Sequence, residues 1–150
     1  MPGPDEIAYP TLLDQPAPTL RAYPREVVVA EKFQALVALG MANSRMKDFF
    51  DLWALARDHP FDGTALSGAL AATFARRQTA LPEEPPLALT PAFAAAREAQ
   101  WRAFARRTAL APPPMTAILA VLESFLMPPA RAVARSAPFA RRWSPGGPWS

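Results

Sequence analysis

The chain has 150 residues, of which 51% are apolar and 19% are charged, and this composition fits one globular domain with a single core rather than a disordered or coiled-coil chain. The net charge of +3 is modest, but the sequence pI of about 9.9 and the excess of arginine are compatible with an acidic partner such as nucleic acid or phosphate, which charge alone does not establish. The absence of cysteine excludes disulfides and thiolate chemistry, and the acidic, proline-containing start of the sequence lacks a signal-peptide pattern, so we expect a cytoplasmic protein.

Prolines divide the sequence into segments. Six of the nineteen prolines precede residue 25, so we expect an extended, irregular Pro-rich leader at 1–25. A helical pattern then runs from 27 to 39, and Gly40 is a suitable stop. A second helix is predicted at 44–57, with Asn43 as its N-cap and "HPFDG" as the break that follows.

Three further helices are predicted, at 64–77, 91–107 and 116–126. Thr90 is expected to cap the second of them, because Pro91 stands at its first helical position, where proline is favoured. Strand-like alternation is confined to the short pieces "EIAYPTLL" and "REVVV".

The most apolar stretch, from Met115 to Met127, is predicted to be a core helix and not a membrane span. It is shorter than the ~20 residues that a spanning helix needs, and Glu123 interrupts it. The predicted fold class is therefore mainly α: a bundle of about five helices, with the helical domain at 26–127 and an irregular tail at 128–150.

Charged residues occupy inward positions on the first two predicted helices. At about 100° per residue, Lys32 falls in the middle of the apolar arc of the first helix. Burying an ammonium without a partner is costly, so Lys32 needs a carboxylate or phosphate nearby, and Asp48 is the nearest candidate. Arg45 lies three residues before Asp48, and Lys47 and Asp51 have the i, i+4 spacing of a helical ion pair.

Two interpretations of this cluster stay open at this point. The charges form a structural network that joins the two helices, or they converge on a phosphorylated ligand, where cations stabilise a transferring phosphoryl group and a carboxylate orients or deprotonates the nucleophile. Residue usage favours the ligand: the sequence has fourteen arginines and only two lysines, and both lysines, Lys32 and Lys47, lie in these helices. This bias indicates a requirement for an ammonium group itself.

The segment "YPREVVVAEKFQALVALGMANSRMKDFFDLWAL", residues 23–55, resembles the C-terminal motif block of the AbiEii/AbiGii nucleotidyltransferase toxins. In that family a helix bearing Glu-Lys is followed by a helix bearing Arg-x-Lys-Asp-x-x-Asp. The leader "YPTLLDQPAPTLRAYP" and the later "ATFARRQTALP" are also similar to the family. The resemblance implies that two residues are catalytic, Lys32 and Asp48, and that three others bind substrate, Arg45, Lys47 and Asp51.

The resemblance further implies transfer of a nucleoside monophosphate from an NTP, with Mg²⁺, to an acceptor such as tRNA, and neutralisation by an antitoxin. The first half of such enzymes carries a Gly-Ser turn for the triphosphate and an Asp-x-Asp pair for the metal ions. Neither motif occurs in this sequence. We therefore expect the chain to begin just past that half, to bind no metal by itself and to be inactive alone. The alternative is a non-catalytic helical module that contacts RNA or a protein partner.

Other candidate residues carry weaker signals. His59, the lone histidine, has no cysteine or second histidine near it in sequence, so we predict no metal site there. Four arginines end two of the predicted helices and are expected to complement the helix dipole, with contact to an RNA backbone as the alternative: Arg76, Arg77, Arg106 and Arg107. Trp143 and Trp149 lie among Pro, Gly and Ser without a core pattern.

Overall fold

The computed structural model describes residues 24–42, 45–109 and 111–150. Within these residues the backbone forms five α-helices and one pair of two-residue strands. The elements are α1 (Arg25–Leu39), α2 (Met46–Asp58), β1 (Phe61–Asp62), α3 (Gly63–Arg76), α4 (Pro91–Ala105), α5 (Met115–Ala134) and β2 (Arg142–Trp143). The predicted mainly α fold class is confirmed.

Helix boundaries follow local chemistry where a capping side chain is present. The Asp62 carboxylate accepts a hydrogen bond from the Ala65 backbone N–H at 2.9 Å and so caps α3. Thr90 caps α4 as predicted, by accepting from the Phe93 N–H at 3.3 Å. α1 begins directly after Pro24, so the "REVVV" piece with strand-like character is helical.

Two predicted features fall wholly or partly outside the described residues. The Pro-rich leader lies outside them up to residue 23, and its last predicted residue, Arg25, belongs to α1. Asn43, the predicted cap of α2, also lies outside them. α2 begins at Met46, and Arg45 occupies the capping position without a side-chain cap bond.

Aromatic contacts join the helices into one core. The rings of Phe33 and Phe74 join α1 to α3 with centroids 5.7 Å apart, and those of Phe49 and Phe93 join α2 to α4 at 5.4 Å. α5 packs against α2, α3 and α4 and is the central element. Because α1 packs mainly on α3 and also contacts α2, charged side chains from all three helices are able to meet.

α5 is longer than predicted. It was expected to end at residue 126, because proline inside a helix lacks an N–H and clashes with the preceding turn. The helix instead continues through Pro128 and Pro129 to Ala134, so the predicted irregular tail begins only after residue 134. The missing N–H of Pro129 would have bonded the Phe125 carbonyl, and the Trp149 indole Nε1 donates to that carbonyl instead, at 3.0 Å.

By length and composition, α5 is apolar enough to cross a membrane, since its 20 residues include an 18-residue window of mean hydropathy 1.4. Nine of its residues are buried, including Ile118, Leu122 and Phe125, and the helix contacts three others in the bundle. Such contacts are those of a core helix, in agreement with the sequence prediction.

The residues after α5 fold back on the core. Trp143 is buried, packs on Phe125 with centroids 4.8 Å apart, and donates its indole N–H to the Ala56 carbonyl at 2.7 Å. That carbonyl lies four residues before Pro60, which has no N–H to offer, and it also accepts from the Gly146 backbone N–H at 2.8 Å. The tail therefore supplies donors at carbonyls that prolines leave open.

We predict that Trp149→Phe lowers the free energy of unfolding by about 1–2 kcal/mol, because the Phe125 carbonyl loses its indole donor. In a Pro129→Ala background the restored backbone N–H bonds that carbonyl, so the same substitution should cost about 1 kcal/mol less. Urea denaturation of the four proteins in this cycle measures both values. Trp143→Phe is the control, since its acceptor is unaffected by residue 129, and an equal cost of Trp149→Phe in both backgrounds contradicts the assignment.

Candidate functional site

An ammonium group from α1 bridges two carboxylates on α2. Lys32 Nζ lies 2.9 Å from Asp48 Oδ1 and 3.2 Å from Asp51 Oδ2. The Lys32 side chain is only 16% exposed, and both aspartates are buried. Because the aspartates are one helical turn apart, a single ammonium is able to compensate both.

Two exposed cations complete the network. Arg45 Nε lies 2.9 Å from Asp48 Oδ2, and Lys47 Nζ lies 2.9 Å from Asp51 Oδ2. The ion pairs therefore form a row in which three cations alternate with two carboxylates, in the order Arg45, Asp48, Lys32, Asp51, Lys47. Each aspartate thus contacts Lys32 from α1 and one exposed cation close to it in sequence, which is Arg45 just before α2 for Asp48 and Lys47 on α2 for Asp51.

A cleft of about 820 Å³ opens beside this network. It is lined by Val27, Val28, Glu31, Lys32, Ala35, Arg45, Asp48, Arg76 and Arg77. Four of these side chains are cationic and two are carboxylates, so the lining has a formal charge of +2. Charge of one sign in a concave site concentrates ions of the opposite sign, and this cleft therefore favours an anionic ligand.

A second ion-pair cluster forms another part of the cleft lining. The Glu31 carboxylate on α1 pairs with Arg76 and with Arg77 at the C-terminal end of α3, and the distance from Arg77 Nη2 to Glu31 Oε1 is 3.0 Å. The two arginines were predicted to complement the dipole of their own helix. That prediction missed their partner, because Glu31 is 45 residues away in sequence and is reached only through the packing of α1 on α3.

The structure confirms the ion pairs that the sequence predicted around Lys32. Lys32 faces inward and pairs with Asp48, Arg45 pairs with Asp48, and Lys47 pairs with Asp51. The contact between Lys32 and Asp51 was not predicted, since spacing alone assigned Asp51 to Lys47. Asp51 and Lys47 do not line the cleft, so Asp51 holds the Lys32 ammonium without facing the ligand space. The catalytic and substrate-binding roles of these residues stay predictions.

The described residues do not fit a metal site. Over residues 24–42, 45–109 and 111–150, no group of three or more His, Cys, Asp or Glu side chains is placed to hold a metal ion. The two aspartates of the network, Asp48 and Asp51, already accept from cations on both sides, which is the wrong environment for a divalent ion.

One ion pair with shifted pKa values lies apart from the cleft lining. The side-chain hydrogen bond from Arg57 lowers the pKa of Asp58, and the same bond raises the pKa of Arg57. The Arg57 guanidinium also stacks over Trp53 at 4.5 Å from the ring centroid. Since neither charged residue lines the cleft, this pair marks the end of α2 rather than a second reactive site.

Comparison with known proteins supports the sequence resemblance. The family model described as nucleotidyl transferase AbiEii toxin, type IV TA system, matches residues 1–134. No significant match was found among curated proteins or among solved structures. The matched range includes every residue that lines the cleft.

We predict that a double-mutant cycle of Lys32→Ala and Asp51→Asn gives a coupling free energy of about 1–2 kcal/mol, as expected for partners in a partly buried network. The matched cycle of Arg135→Ala and Glu83→Gln should give less than about 1 kcal/mol, because that pair is 59% and 50% exposed. Urea unfolding of the single and double variants measures both. Equal couplings would mean that Lys32 gains nothing from its inward position.

Proposed function

The chain belongs to the AbiEii family of nucleotidyltransferase toxins of type IV toxin–antitoxin systems, and we propose that it supplies the helical half of a nucleotide-transfer site. In the proposed reaction a nucleoside monophosphate passes from an NTP to an acceptor such as tRNA in the cytoplasm. The observation that carries the proposal is the Lys32 ammonium, fixed between Asp48 and Asp51 in a cleft whose lining is cationic. The family also implies an antitoxin partner.

Lys32 acts on the transferring phosphoryl group. The acceptor hydroxyl attacks the α-phosphorus, the bond from that phosphorus to the oxygen it shares with the β-phosphate breaks, and pyrophosphate leaves while the hydroxyl proton passes to the Asp48 carboxylate and from there to solvent. Protein groups accelerate such transfers chiefly by positioning and by stabilising the negative charge on the phosphate oxygens. An ammonium held by two carboxylates is fixed before substrate binds, so little reorganisation is needed during the reaction.

Asp48 orients the nucleophile. It lines the cleft, and its two oxygens contact different cations: Oδ1 accepts a hydrogen bond from Lys32, and Oδ2 forms an ion pair with Arg45. A carboxylate oxygen has more than one lone pair, so Asp48 is able to accept the acceptor hydroxyl as well. Arg45, also in the lining, contacts substrate phosphate, whereas Asp51 and Lys47 act as positioning residues for Lys32.

A second half must provide the metal and triphosphate chemistry. The family implies Mg²⁺ with the NTP, yet the 150 residues contain no Asp-x-Asp pair, and the described residues contain no group of three or more His, Cys, Asp or Glu side chains placed to hold a metal ion. We therefore assign no step to a metal ion held by this chain. The proposal is that the chain is inactive alone and becomes active with a nucleotide-binding half of the family.

We predict label transfer to total tRNA when the chain is combined with such a half, Mg²⁺ and a labelled NTP, and no transfer by the chain alone. Lys32→Arg should lower transfer by about 100-fold, because a planar guanidinium cannot replace a point-like ammonium between two carboxylates and a phosphate. The same substitution keeps a positive charge between the two carboxylates, so the variant should remain folded under the assay conditions, which urea denaturation checks. Arg135→Lys, at an exposed ion pair, is the matched control and should leave transfer unchanged.

Each of the other outcomes would support a different hypothesis about Lys32 or about the chain. Normal transfer by Lys32→Arg would reduce Lys32 to a structural member of the network. If no mixture transferred label to tRNA, the alternative would be favoured, a non-catalytic helical module that contacts RNA or a protein partner. Transfer by the chain alone would contradict the need for a second half.

A further inference from the structure

We infer that Arg76 and Arg77 form a second anion subsite in the cleft, which takes a phosphate group of the substrate and is occupied by the Glu31 carboxylate when no ligand is bound. The ligand chemistry rests on the proposed function, in which both substrates carry phosphates. The subsite itself rests on contacts that lie apart from the network of Lys32.

The two guanidinium groups converge on one anionic group. Arg77 approaches Glu31 Oε1 with both Nε and Nη2, at 3.1 and 3.0 Å, and Arg76 contacts Oε2. Guanidinium forks match the geometry of phosphate oxygens as well as that of carboxylates. A terminal phosphate in the place of the carboxylate would offer a third oxygen and more negative charge, and a backbone phosphodiester would offer two oxygens and the same single charge, so either group is able to take the place of Glu31 between the two arginines.

Charge and exposure make exchange with a ligand feasible. The Arg76 and Arg77 side chains are 57% and 53% exposed, whereas the Glu31 side chain is 31% exposed. Exposed ion pairs of this kind contribute little to stability, so opening them costs little. One carboxylate against two guanidiniums also leaves an uncompensated positive charge, which Glu31 alone cannot neutralise.

The arginine pair lies in the same cleft as Lys32, the residue proposed to act on the transferring phosphoryl group. Glu31 and Lys32 are consecutive on α1, and Lys32, Arg76 and Arg77 line the same cleft. A ligand with phosphates in series is therefore able to contact Lys32 with one phosphate and the arginine pair with another. Two sources of such phosphates exist, the triphosphate chain of the NTP and the backbone of the RNA acceptor.

The test measures binding of inorganic tripolyphosphate and of total tRNA to the unmodified chain and to three variants. Arg76→Ala and Arg77→Ala should each weaken binding by about three- to tenfold, and Glu31→Gln should tighten it by a similar factor, because it removes the competing negative charge. Arg135→Ala, which removes a cation of comparable exposure from another ion pair, is the control and should leave affinity unchanged.

The arginine variants and Glu31→Gln are expected to change affinity in opposite directions, and this difference separates a binding role of the cluster from a structural one. If Glu31→Gln weakens binding as the arginine variants do, the cluster is structural and the inference is overturned, as it is if the unmodified chain binds neither probe. An effect on tripolyphosphate assigns the subsite to the NTP, and an effect on tRNA alone assigns it to the acceptor backbone.

Failure of this inference is distinguishable from failure of the proposed function. If the arginine variants bind as the unmodified chain does while Lys32→Arg still lowers transfer by about 100-fold in the reconstituted mixture, only the proposed subsite is contradicted. If the arginine variants weaken binding while Lys32→Arg transfers normally, the subsite stands and the proposed role of Lys32 falls.

Discussion

An ammonium group inside a helical bundle must keep its charge compensated, and the arrangement of α1 and α2 depends on how this is done for Lys32. Two carboxylates one turn apart on α2 would repel each other without a cation between them. Lys32 enters that gap from α1, while Arg45 and Lys47 hold the outer sides of the aspartates. The relative position of the two helices is thus fixed by charge as well as by apolar packing, and the same contact aims the ammonium at the cleft.

α1 carries the charges of both clusters because consecutive residues point about 100° apart on a helix. Lys32 faces the aspartates of α2, and its neighbour Glu31 faces the arginines of α3. The cleft lies where these two directions meet, so its cationic lining results from the packing of three helices and not from a single basic segment. Stability and ligand binding therefore depend on two adjacent charged residues of this helix in different environments: Lys32 is largely buried, and Glu31 is paired near the surface.

Much of the fold and part of the site were accessible from the sequence. Local signals carried the prediction: apolar periodicity defined the helices, Thr90 and Pro91 defined the start of α4, and the inward Lys32 demanded a carboxylate that Asp48 provides. Contacts set by tertiary packing were missed, since no local pattern links Glu31 to Arg76. The continuation of α5 through two prolines was missed because the donor to the Phe125 carbonyl, one of the two carbonyls that the prolines leave open, is a tryptophan from the tail.

The tail also gives the protein an optical signature. Of the four tryptophans, Trp143 and Trp149 lie with ring centroids 5.5 Å apart and inclined at 60°, and both contact Phe125. Two indoles at this separation and angle couple their electronic transitions, which gives a paired positive and negative band in the circular dichroism spectrum. The band requires both rings in place, so its amplitude follows docking of residues 135–150 separately from the helical signal of the bundle.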